Sequence, residues 1–333
     1  MDSEKRKILF ICPAFFGYEI SIKDALIFNG YEVDYFDERT SNKSYYKAIF
    51  RVRKSLLSKI IDKYYRQIFE KIKDKSYNYF FLIKGEVVPE WFITSFMQLN
   101  PTAKLIYYTY DSFNNNNKNS LYILKYFDSC YSFDFEDVKK NKELKLKHLF
   151  FTNDYQNKTN IAIERKYDMS FVGTLHSNRY CIIKKIASQL GNTFVFYFMP
   201  AKWFFYANKI LKKDYRKIKA DEVSFNKISK MQVAEIFRSS KSVLDIQRFG
   251  QTGLTMRTFE VLASGSILIT TNAYIKEADF YDTEKIIVLE DIDRLDNGEI
   301  IKQKINNADN YLKPIDPNFN KYFINNWVKE FFE

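Results

Sequence analysis

Residues 248–272 read RFGQTGLTMRTFEVLASGSILITTN and combine an apolar rhythm with charged side chains. Four apolar residues at helical spacing predict a helix over TMRTFEVLASG, 255–265. They form its predicted buried stripe: Met256, Phe259, Leu262 and Ala263. Arg257 and Glu260, three positions apart, fall on a second face. Gly265 ends the predicted helix, and SILITT follows as a buried strand.

The predicted helix follows a strand, SVLDIQ (242–247), and a turn that contains two glycines, Gly250–Gly253. A strand, a turn and a helix N-terminus form an anion site, because backbone N–H groups are free there. Arg248 and Arg257 add donors suited to phosphate oxygens, and Glu260 offers an acceptor for sugar hydroxyls. These groups predict a site for the diphosphate and ribose of a nucleotide. An exposed Arg257–Glu260 pair that contributes little is the alternative interpretation.

Short apolar runs alternate with helical patterns along the whole chain, which predicts βαβ units and an α/β, doubly wound fold. The first-half runs are KILFIC (7–12), YEVDYFD (31–37), YFFLIKG (79–85), KLIYYTYD (104–111) and CYSFD (130–134). The second-half runs are YDMSFVGT (167–174), TFVFYFMP (193–200), SVLDIQ (242–247), SILITTN (266–272) and IIVLE (286–290). We therefore expect two Rossmann-like domains, residues 1–155 and 156–315, facing a central cleft. FNKYFINNWVKEFFE (319–333) predicts a final amphipathic helix.

The net charge of +11 favours an anionic partner: nucleic acid, an anionic membrane or a phosphorylated ligand. The densest basic run, 51–75, predicts an amphipathic helix with a solvated basic face; docking to acidic lipid headgroups is the alternative. Three scattered cysteines indicate a reducing compartment. No signal peptide is recognised, and no apolar run approaches the roughly 20 residues of a membrane span. We expect a cytoplasmic protein.

Several motifs of common sites are missing from the sequence. It has no GxGxxG and no GxxxxGK[ST], which argues against a dinucleotide redox site and a P-loop. With only two histidines, a zinc site would need an improbable ligand set. Asp291 and Asp293 form a DxD, which we interpret as acidic residues at a helix N-terminus. We therefore predict no metal site.

The segment RTFEVLASGSILITTN (257–272) resembles the donor-domain signature of GT-B glycosyltransferases. It is most similar to the CgeB-like group of glycosyltransferase family 1-like enzymes of bacterial polysaccharide synthesis. SFVGTLHSNR (170–179), YYTYDS (107–112) and SFDFEDVKKN (132–141) add to this resemblance. The resemblance implies the GT-B fold, with residues 316–333 as a C-terminal helix that crosses back to the first domain.

The resemblance also implies a donor site. Glu260 would bind the ribose, and the arginines and the glycine-containing loop would lie near the diphosphate. The implied donor-binding residues are Gly173, His176, Arg179, Arg248, Gln251, Thr252, Gly253, Arg257 and Glu260. A retaining pattern with two glutamates eight positions apart would place the first at position 252, where this chain has threonine. Retention and inversion of stereochemistry both stay open.

An inverting mechanism needs a base to deprotonate the acceptor hydroxyl. The candidates are Asp111 and Glu19, each in a loop that leaves a predicted strand, with Glu86 as a third. The alternatives are ordinary: Asp111 shapes a turn, and Glu19 caps the following helix.

We therefore expect a glycosyltransferase that moves a sugar from a nucleotide-sugar donor to a lipid-linked or polysaccharide acceptor. The product would be a bacterial surface polysaccharide, such as capsule, O-antigen or exopolysaccharide. The enzyme would need no cofactor and would contact the anionic inner face of the inner membrane peripherally. One alternative is a GT-B nucleotide-sugar epimerase. The other is a basic nucleic-acid-binding protein, which is disfavoured because the aromatic residues fall mainly in core-like runs.

Overall fold

The computed structural model describes residues 5–40, 57–114, 118–156, 165–175, 179–248, 250–291, 297–307 and 317–333. The chain forms two compact units. Unit 1 comprises residues 1–149, 250–253 and 321–333; unit 2 comprises residues 150–249 and 254–320.

The described part of unit 1 is built on a six-stranded sheet. Its strands are β1 (Lys7–Cys12), β2 (Glu32–Asp37), β3 (Tyr79–Ile83), β4 (Lys104–Thr109), β5 (Ser129–Ser132) and β6 (Leu144–Leu146). They are parallel, in the order β2-β1-β3-β4-β5-β6. The helices are α1 (Tyr18–Phe28), α2 (Ser58–Ile72), α3 (Glu90–Leu99) and α4 (Phe135–Lys140), with a 3-10 turn at Lys118–Tyr126.

Unit 2 contains a second six-stranded sheet within the described ranges. Its strands are β7 (Tyr167–Thr174), β8 (Thr193–Phe198), β9 (Val223–Ser224), β10 (Ser240–Asp245), β11 (Ile267–Thr270) and β12 (Ile286–Val288). They are parallel, in the order β12-β11-β10-β7-β8-β9. The helices are α5 (Arg179–Ala187), α6 (Lys202–Leu211), α7 (Lys213–Arg216), α8 (Lys230–Arg238), α9 (Met256–Ala263) and α10 (Asn297–Asn306). The prediction of an α/β fold is confirmed.

The central strands β1 and β3 are almost entirely apolar and buried, as expected for parallel strands covered on both faces. The central strands β7 and β10 also bury the polar side chains of Ser170, Ser240 and Ser242. In β1, Phe10 lies level with Tyr35 of β2 and Phe81 of β3, and it stacks on Phe81. In unit 2, Phe171 of β7 and Leu244 of β10 are fully buried in the core.

Each sheet has one topological switch point, where the strand order reverses direction. It lies between β1 and β3 in unit 1, and between β10 and β7 in unit 2. Loops that leave neighbouring strands at a switch point diverge above and below the sheet, and the crevice they leave binds ligands. The residues that follow β1, β3, β7 and β10 are therefore the first candidates for a functional site.

The C-terminal segment completes unit 1, but it is not the single helix that the sequence predicts. A 3-10 turn at Pro317–Tyr322 precedes a short helix, α11 (Ile324–Lys329). Trp327 is fully buried, donates from Nε1 to the carbonyl of His148 (2.7 Å) and packs edge-on against Tyr108. These contacts fix the segment on the sheet of unit 1.

The predicted helix 255–265 is observed as α9, with a different buried face. Phe259 and Ala263 are buried as predicted, whereas Met256 and Leu262 are only partly buried. Glu260 is buried instead, because it faces Tyr155 rather than water. Asp293 of the DxD lies outside the described residues. Across the described ranges, no helix is both long enough and apolar enough to cross a bilayer.

Candidate functional site

Arginine side chains surround one buried aspartate at the carboxyl edge of the unit 2 sheet. Asp245 ends β10, and its Oδ1 lies 3.6 Å from Nη1 of Arg257. Arg179, at the start of α5, donates from Nη2 to the carbonyl of Ile246. Since β7 and β10 are neighbours at the switch point, both arginines lie where doubly wound sheets bind ligands.

Positive charge outweighs negative charge in this arginine cluster, defined as Arg179, Arg248 and Arg257. Burial lowers the pKa of Arg179 to about 10; Asp245 opposes this shift, and the other two arginines add to it. The Nε–H groups of Arg179 and Arg257 are buried and have no acceptor within the described part of the chain. Arg248 is exposed. Cations with unused donors favour a ligand rich in anionic oxygens, such as a phosphate.

Gly173, near the end of β7, leaves room for the Phe171 ring, over which the Arg257 side chain lies. A Cβ atom at this position would lie 2.9 Å from the ring of Phe171 and 3.6 Å from Arg257 Nη1. The guanidinium of Arg257 lies over the Phe171 ring, 5.9 Å from its centre. Gly173 thus permits a cation–π contact that holds Arg257 against β7.

The N-terminus of α9 opens beside the arginine cluster without a side-chain cap. Thr255 occupies the capping position, but its hydroxyl donates to Asp245 Oδ2 (2.6 Å) instead of accepting from the first turn. The first-turn N–H groups and the positive end of the helix dipole favour an anion at this point. Arg257 is the second residue of this helix.

The loop Gly250–Gly253 uses backbone N–H groups that the sequence predicts to be free for an anion. The N–H groups of Thr252 and Gly253 donate to Asp134 Oδ2 at 2.9 and 3.1 Å, and the Thr252 hydroxyl donates to Oδ1 at 2.7 Å. The expectation of free N–H groups is therefore wrong at these two residues. The physical reason is that Asp134 is buried, and a buried carboxylate requires donors. Gln251 is half-buried in the same loop.

Glu260 is buried, and the hydroxyl of Tyr155 hydrogen-bonds to it. Burial, with the Glu260 charge adding to its effect, raises the pKa of Tyr155 well above its usual value. The alternative of an exposed Arg257–Glu260 pair is wrong, since Glu260 is not exposed. His176 lies outside the described residues, so the structure does not place it.

Unit 1 carries a second charged cluster, centred on Lys84 after β3. The Lys84 ammonium lies 2.9 Å from Asp111 Oδ2 and 3.3 Å from Glu86 Oε2, and Arg39 Nη2 lies 3.3 Å from the same Glu86 oxygen. Asp111 follows β4 and Arg39 follows β2. The structure thus brings Asp111 and Glu86 together through one buried lysine. We call Arg39, Lys84, Glu86 and Asp111 the lysine cluster.

The backbone at Lys84 adopts a conformation that residues other than glycine rarely take. Its φ angle is +77°, and Gly85 follows with φ +68°. The hydroxyls of Tyr107 (2.7 Å) and Ser120 (2.8 Å) both donate to the Lys84 carbonyl and hold this turn. Such conformations cost about 1–3 kcal/mol and concentrate at functional sites.

Glu38 lies beneath the lysine cluster and is fully buried. Its Oε1 accepts from the N–H of Val87 (2.9 Å), while Oε2 has no partner among the described residues. Burial raises the pKa of Glu38 to about 7, although Lys84 and Arg39 act in the opposite direction. A carboxyl with this pKa changes its protonation near neutral pH.

Glu19, the other predicted base, is held by the loop after β1. Its Oε2 accepts from the N–H of Phe15 (2.9 Å), and the side chain is mostly buried. Phe15 itself is exposed and stacks on Tyr110, with ring centres 5.8 Å apart. Glu19, the second residue of α1, therefore holds the turn that precedes the helix. It does not cap the helix, contrary to its alternative interpretation, because Gly17 is the N-cap and no side chain caps it.

Sequence reasoning missed several residues in these two clusters or in contact with residues of the candidate site: Arg39, Glu38, Lys84, Asp134 and Asp245. Four of them lie within two residues of the end of a strand, and Asp245 is the last residue of one. Asp134 also stands where a helix N-cap belongs, and it caps α4 through the N–H groups of Glu136 and Asp137. A systematic search for polar residues at predicted strand ends would have found all five.

Comparisons with known proteins agree with this architecture. Residues 206–306, within unit 2, match a family model described as glycosyl transferase-like. The solved structure of Anabaena HepE in complex with UDP and glucose matches 98% of each chain, with a TM-score of 0.58 and 10% identity. The fold is that of the GT-B glycosyltransferases.

Other GT-B structures match over the same extent. AviGT4, a glycosyltransferase involved in avilamycin A biosynthesis, gives a TM-score of 0.61 at 10% identity, covering 98% of this chain and 96% of its own. A UDP-glucosyltransferase from Polygonum tinctorium gives 0.51 at 10% identity, covering 99% and 98%. No curated protein sequence is significantly similar to this chain. The resemblance to GT-B glycosyltransferases is confirmed, and the CgeB-like subgroup stays a prediction.

Proposed function

We propose that this chain is a glycosyltransferase that uses a nucleotide-sugar donor. The observation that carries the proposal is the arginine cluster at the switch point of unit 2, beside the uncapped N-terminus of α9. Two partly buried arginines there have a buried Nε–H without an acceptor among the described residues, and a diphosphate supplies anionic oxygens suited to guanidinium groups. The related fold of HepE, solved with UDP and glucose, supports a nucleoside diphosphate as the ligand.

The donor would be bound by groups of different chemistry. Arg179, Arg248 and Arg257 would bind the diphosphate, with Gly173 and the loop that contains Gln251, Thr252 and Gly253 shaping the surroundings. Glu260 would accept from the ribose hydroxyls, with Tyr155 orienting its carboxylate. His176, which the resemblance implies as a donor-binding residue, stays a prediction.

The acceptor would be activated by the lysine cluster of unit 1. Of the three predicted bases, Asp111 has the most exposed side chain, at 29% against 7% for Glu86. In the reaction, the acceptor oxygen bonds to the anomeric carbon and gives its proton to the carboxylate. The bond from that carbon to the diphosphate breaks, and its electron pair leaves with the diphosphate. The arginines would stabilise the charge that develops there.

We further propose a lipid-linked or oligosaccharide acceptor for a bacterial surface polysaccharide such as capsule or O-antigen. The transfer would take place at the cytoplasmic face of the inner membrane and would need no cofactor, since the nucleotide-sugar is a substrate. The net charge of +11 supports an anionic acceptor carrier, such as a lipid pyrophosphate.

The test is a thermal-shift panel of the purified chain against UDP, GDP, ADP, dTDP and CMP. A ligand at a hundred times its dissociation constant stabilises the folded state by about 2.7 kcal/mol. We expect one nucleoside diphosphate to stabilise the wild type and the surface control Arg216→Ala, but not Arg257→Ala. No shift with any nucleotide would overturn the donor site. Sugar interconversion without any acceptor would favour the epimerase instead.

A further inference from the structure

Helix α6 (Lys202–Leu211) turns its apolar side away from the protein. Phe205 and Asn208 are buried against unit 2. The opposite side presents Trp203, Tyr206 and Ile210, which recur at the i, i+3 and i+7 positions of one helical face. This arrangement reverses the usual one, in which the apolar side of a surface helix faces the core.

The exposure of this face is large. Trp203 is 73% exposed, Ile210 74% and the adjoining Leu211 80%, and Phe204 and Tyr206 are exposed as well. Single exposed apolar residues are common on protein surfaces, but five within nine residues form a continuous patch. We call this patch, residues 203, 204, 206, 210 and 211, the outer face of α6.

Positive charge lies on α6 and directly after its C-terminal end. Residues 202–219 contain seven lysines and arginines against one acidic residue, Asp214. Tyr215 and Ile218 are buried and anchor the segment after α6, so that the intervening Arg216 and Lys217 point outward. None of the seven cations forms a salt bridge with another described residue. They are Lys202, Lys209, Lys212, Lys213, Arg216, Lys217 and Lys219.

We propose that the outer face of α6 docks on an anionic lipid bilayer. Aromatic and aliphatic side chains on one side of a helix, with cations at its edges, match the interface between headgroups and acyl chains. The proposal deepens the proposed function, since a lipid-linked acceptor would be met at that surface. It places the membrane contact in unit 2.

The basic run 51–75, for which docking to acidic lipid headgroups is the alternative interpretation, is a weaker candidate for membrane contact in its described part, residues 57–75. Its helix α2 packs Tyr65, Ile68 and Ile72 into the core of unit 1. Its apolar side is therefore already covered, although Ile60 remains exposed. The apolar side of α6, by contrast, has no such cover from the described residues.

A second copy of this chain is a poor occupant of the same face. Two such surfaces would bring together two groups of seven cations with one carboxylate each, and like charges facing one another disfavour association. An anionic bilayer offers the opposite charge, and each lysine or arginine near it contributes favourably.

The experiment is flotation of the full chain with vesicles of phosphatidylcholine alone or with 30 mol% phosphatidylglycerol. We expect binding to the anionic vesicles, weakened about tenfold or more by Trp203→Ser/Ile210→Ser/Leu211→Ser. The matched control is Phe28→Ser, which removes an equally exposed apolar side chain from α1 in unit 1. Binding by the wild type that the triple variant retains would overturn the proposal, as would no binding of the wild type.

Tryptophan fluorescence supplies a second readout. Trp203 is the exposed tryptophan, whereas Trp327 is buried and Trp91 is partly buried. Docking should shift the emission to shorter wavelength, and Trp203→Phe should abolish the shift while flotation persists. A shift that survives this substitution would contradict docking through α6.

Further controls separate this proposal from its competitors. The thermal shift of the triple variant with nucleotides is measured without vesicles. It therefore reports on the donor site and on folding independently of membrane docking. Oligonucleotides that compete with the vesicles for this face would assign it to nucleic acid. Wild-type dimers in light scattering that the triple variant lacks would assign it to a second copy. Either result would overturn membrane docking.

Discussion

The carboxylate of Asp134 binds the backbone N–H of Thr252 at 2.9 Å, across 118 residues of sequence. The same carboxylate accepts from the N–H of Gly253 and from the first-turn N–H groups of α4 at Glu136 and Asp137. One buried side chain therefore caps a helix and fixes the loop that precedes α9. This loop belongs to unit 1 although both of its flanking segments belong to unit 2.

We predict that Asp134→Ala lowers the free energy of unfolding by about 2–4 kcal/mol. It removes a helix cap, which contributes about 1 kcal/mol, and leaves buried N–H groups without an acceptor. Urea denaturation measures the change. The control is Asp134→Ser, whose shorter side chain can still cap α4 but does not reach both loop N–H groups. A loss below about 0.5 kcal/mol in Asp134→Ala would show that water replaces the carboxylate.

The donor site predicts different effects for Arg257 and Glu260. Arg257→Ala should weaken binding of both the nucleoside diphosphate and inorganic pyrophosphate by about 10- to 100-fold, because a charge-assisted hydrogen bond contributes about 1.5–3 kcal/mol. Glu260→Gln should weaken only the nucleoside diphosphate, since pyrophosphate has no ribose. Isothermal titration with the two ligands distinguishes these roles. Equal losses for both ligands in Glu260→Gln would assign Glu260 to structure alone.

Asp111 is predicted to be the base. Asp111→Asn should lower kcat by about 10²- to 10⁴-fold and leave the KM for the donor unchanged, because the amide cannot take the acceptor proton. Steady-state transfer kinetics measure both constants. Glu19→Gln is the comparison: its amide oxygen still accepts from the N–H of Phe15, so we expect nearly normal kcat. The reverse pattern would move the base to Glu19.

The buried carboxyl of Glu38 should make the free energy of unfolding depend on pH. Burial raises its pKa in the folded state from 4.5 to about 7, so the folded state keeps a proton that the unfolded state releases. Its contribution to stability is thus complete below about pH 4.5 and is lost as the pH rises through 7, by about 3 kcal/mol in total. Denaturation of the wild type and Glu38→Gln at pH 5 and pH 8 measures it.

We expect Glu38→Gln to be the more stable protein at pH 8, with a smaller difference at pH 5. The glutamine oxygen still accepts from Val87, and no charge is buried. Asp137, whose pKa burial raises to about 6, changes stability in the same direction in both proteins, so the comparison isolates Glu38. Parallel pH profiles for the two proteins would contradict the assignment.

Local pattern was enough to predict most of the strands. KILFIC and YDMSFVGT are observed as β1 and β7 with the predicted bounds, because each has a short run of mostly apolar, buried residues at its centre, as strands of a parallel sheet do. Long-range contacts were not predictable in the same way. Asp134 and Thr252 meet only in the folded chain, so the sequence gives no sign that the loop N–H groups are used.

Apolar periodicity predicts helices but does not predict which helix face is buried, because the same pattern occurs on faces that meet the core and on faces that meet water. The apolar spacing of α9 correctly predicts a helix, but the residue that faces Tyr155 is Glu260, which no apolar count would bury. The apolar positions of α6 follow a helical period as well, and the pattern cannot show that they face water. Burial depends on the neighbours of a helix, and those lie elsewhere in the sequence.

The three chain segments of unit 1 have a consequence for protein synthesis. Trp327 and Phe331 pack on the ring of Tyr108 in β4, so this part of the core stays uncovered until residues 321–333 are made. At about 5–20 residues per second, a nascent chain would carry the exposed sheet for roughly 10–40 s after residue 149. Unit 1 is translated first but completed last, so its exposed sheet is the surface that a chaperone on the ribosome would bind.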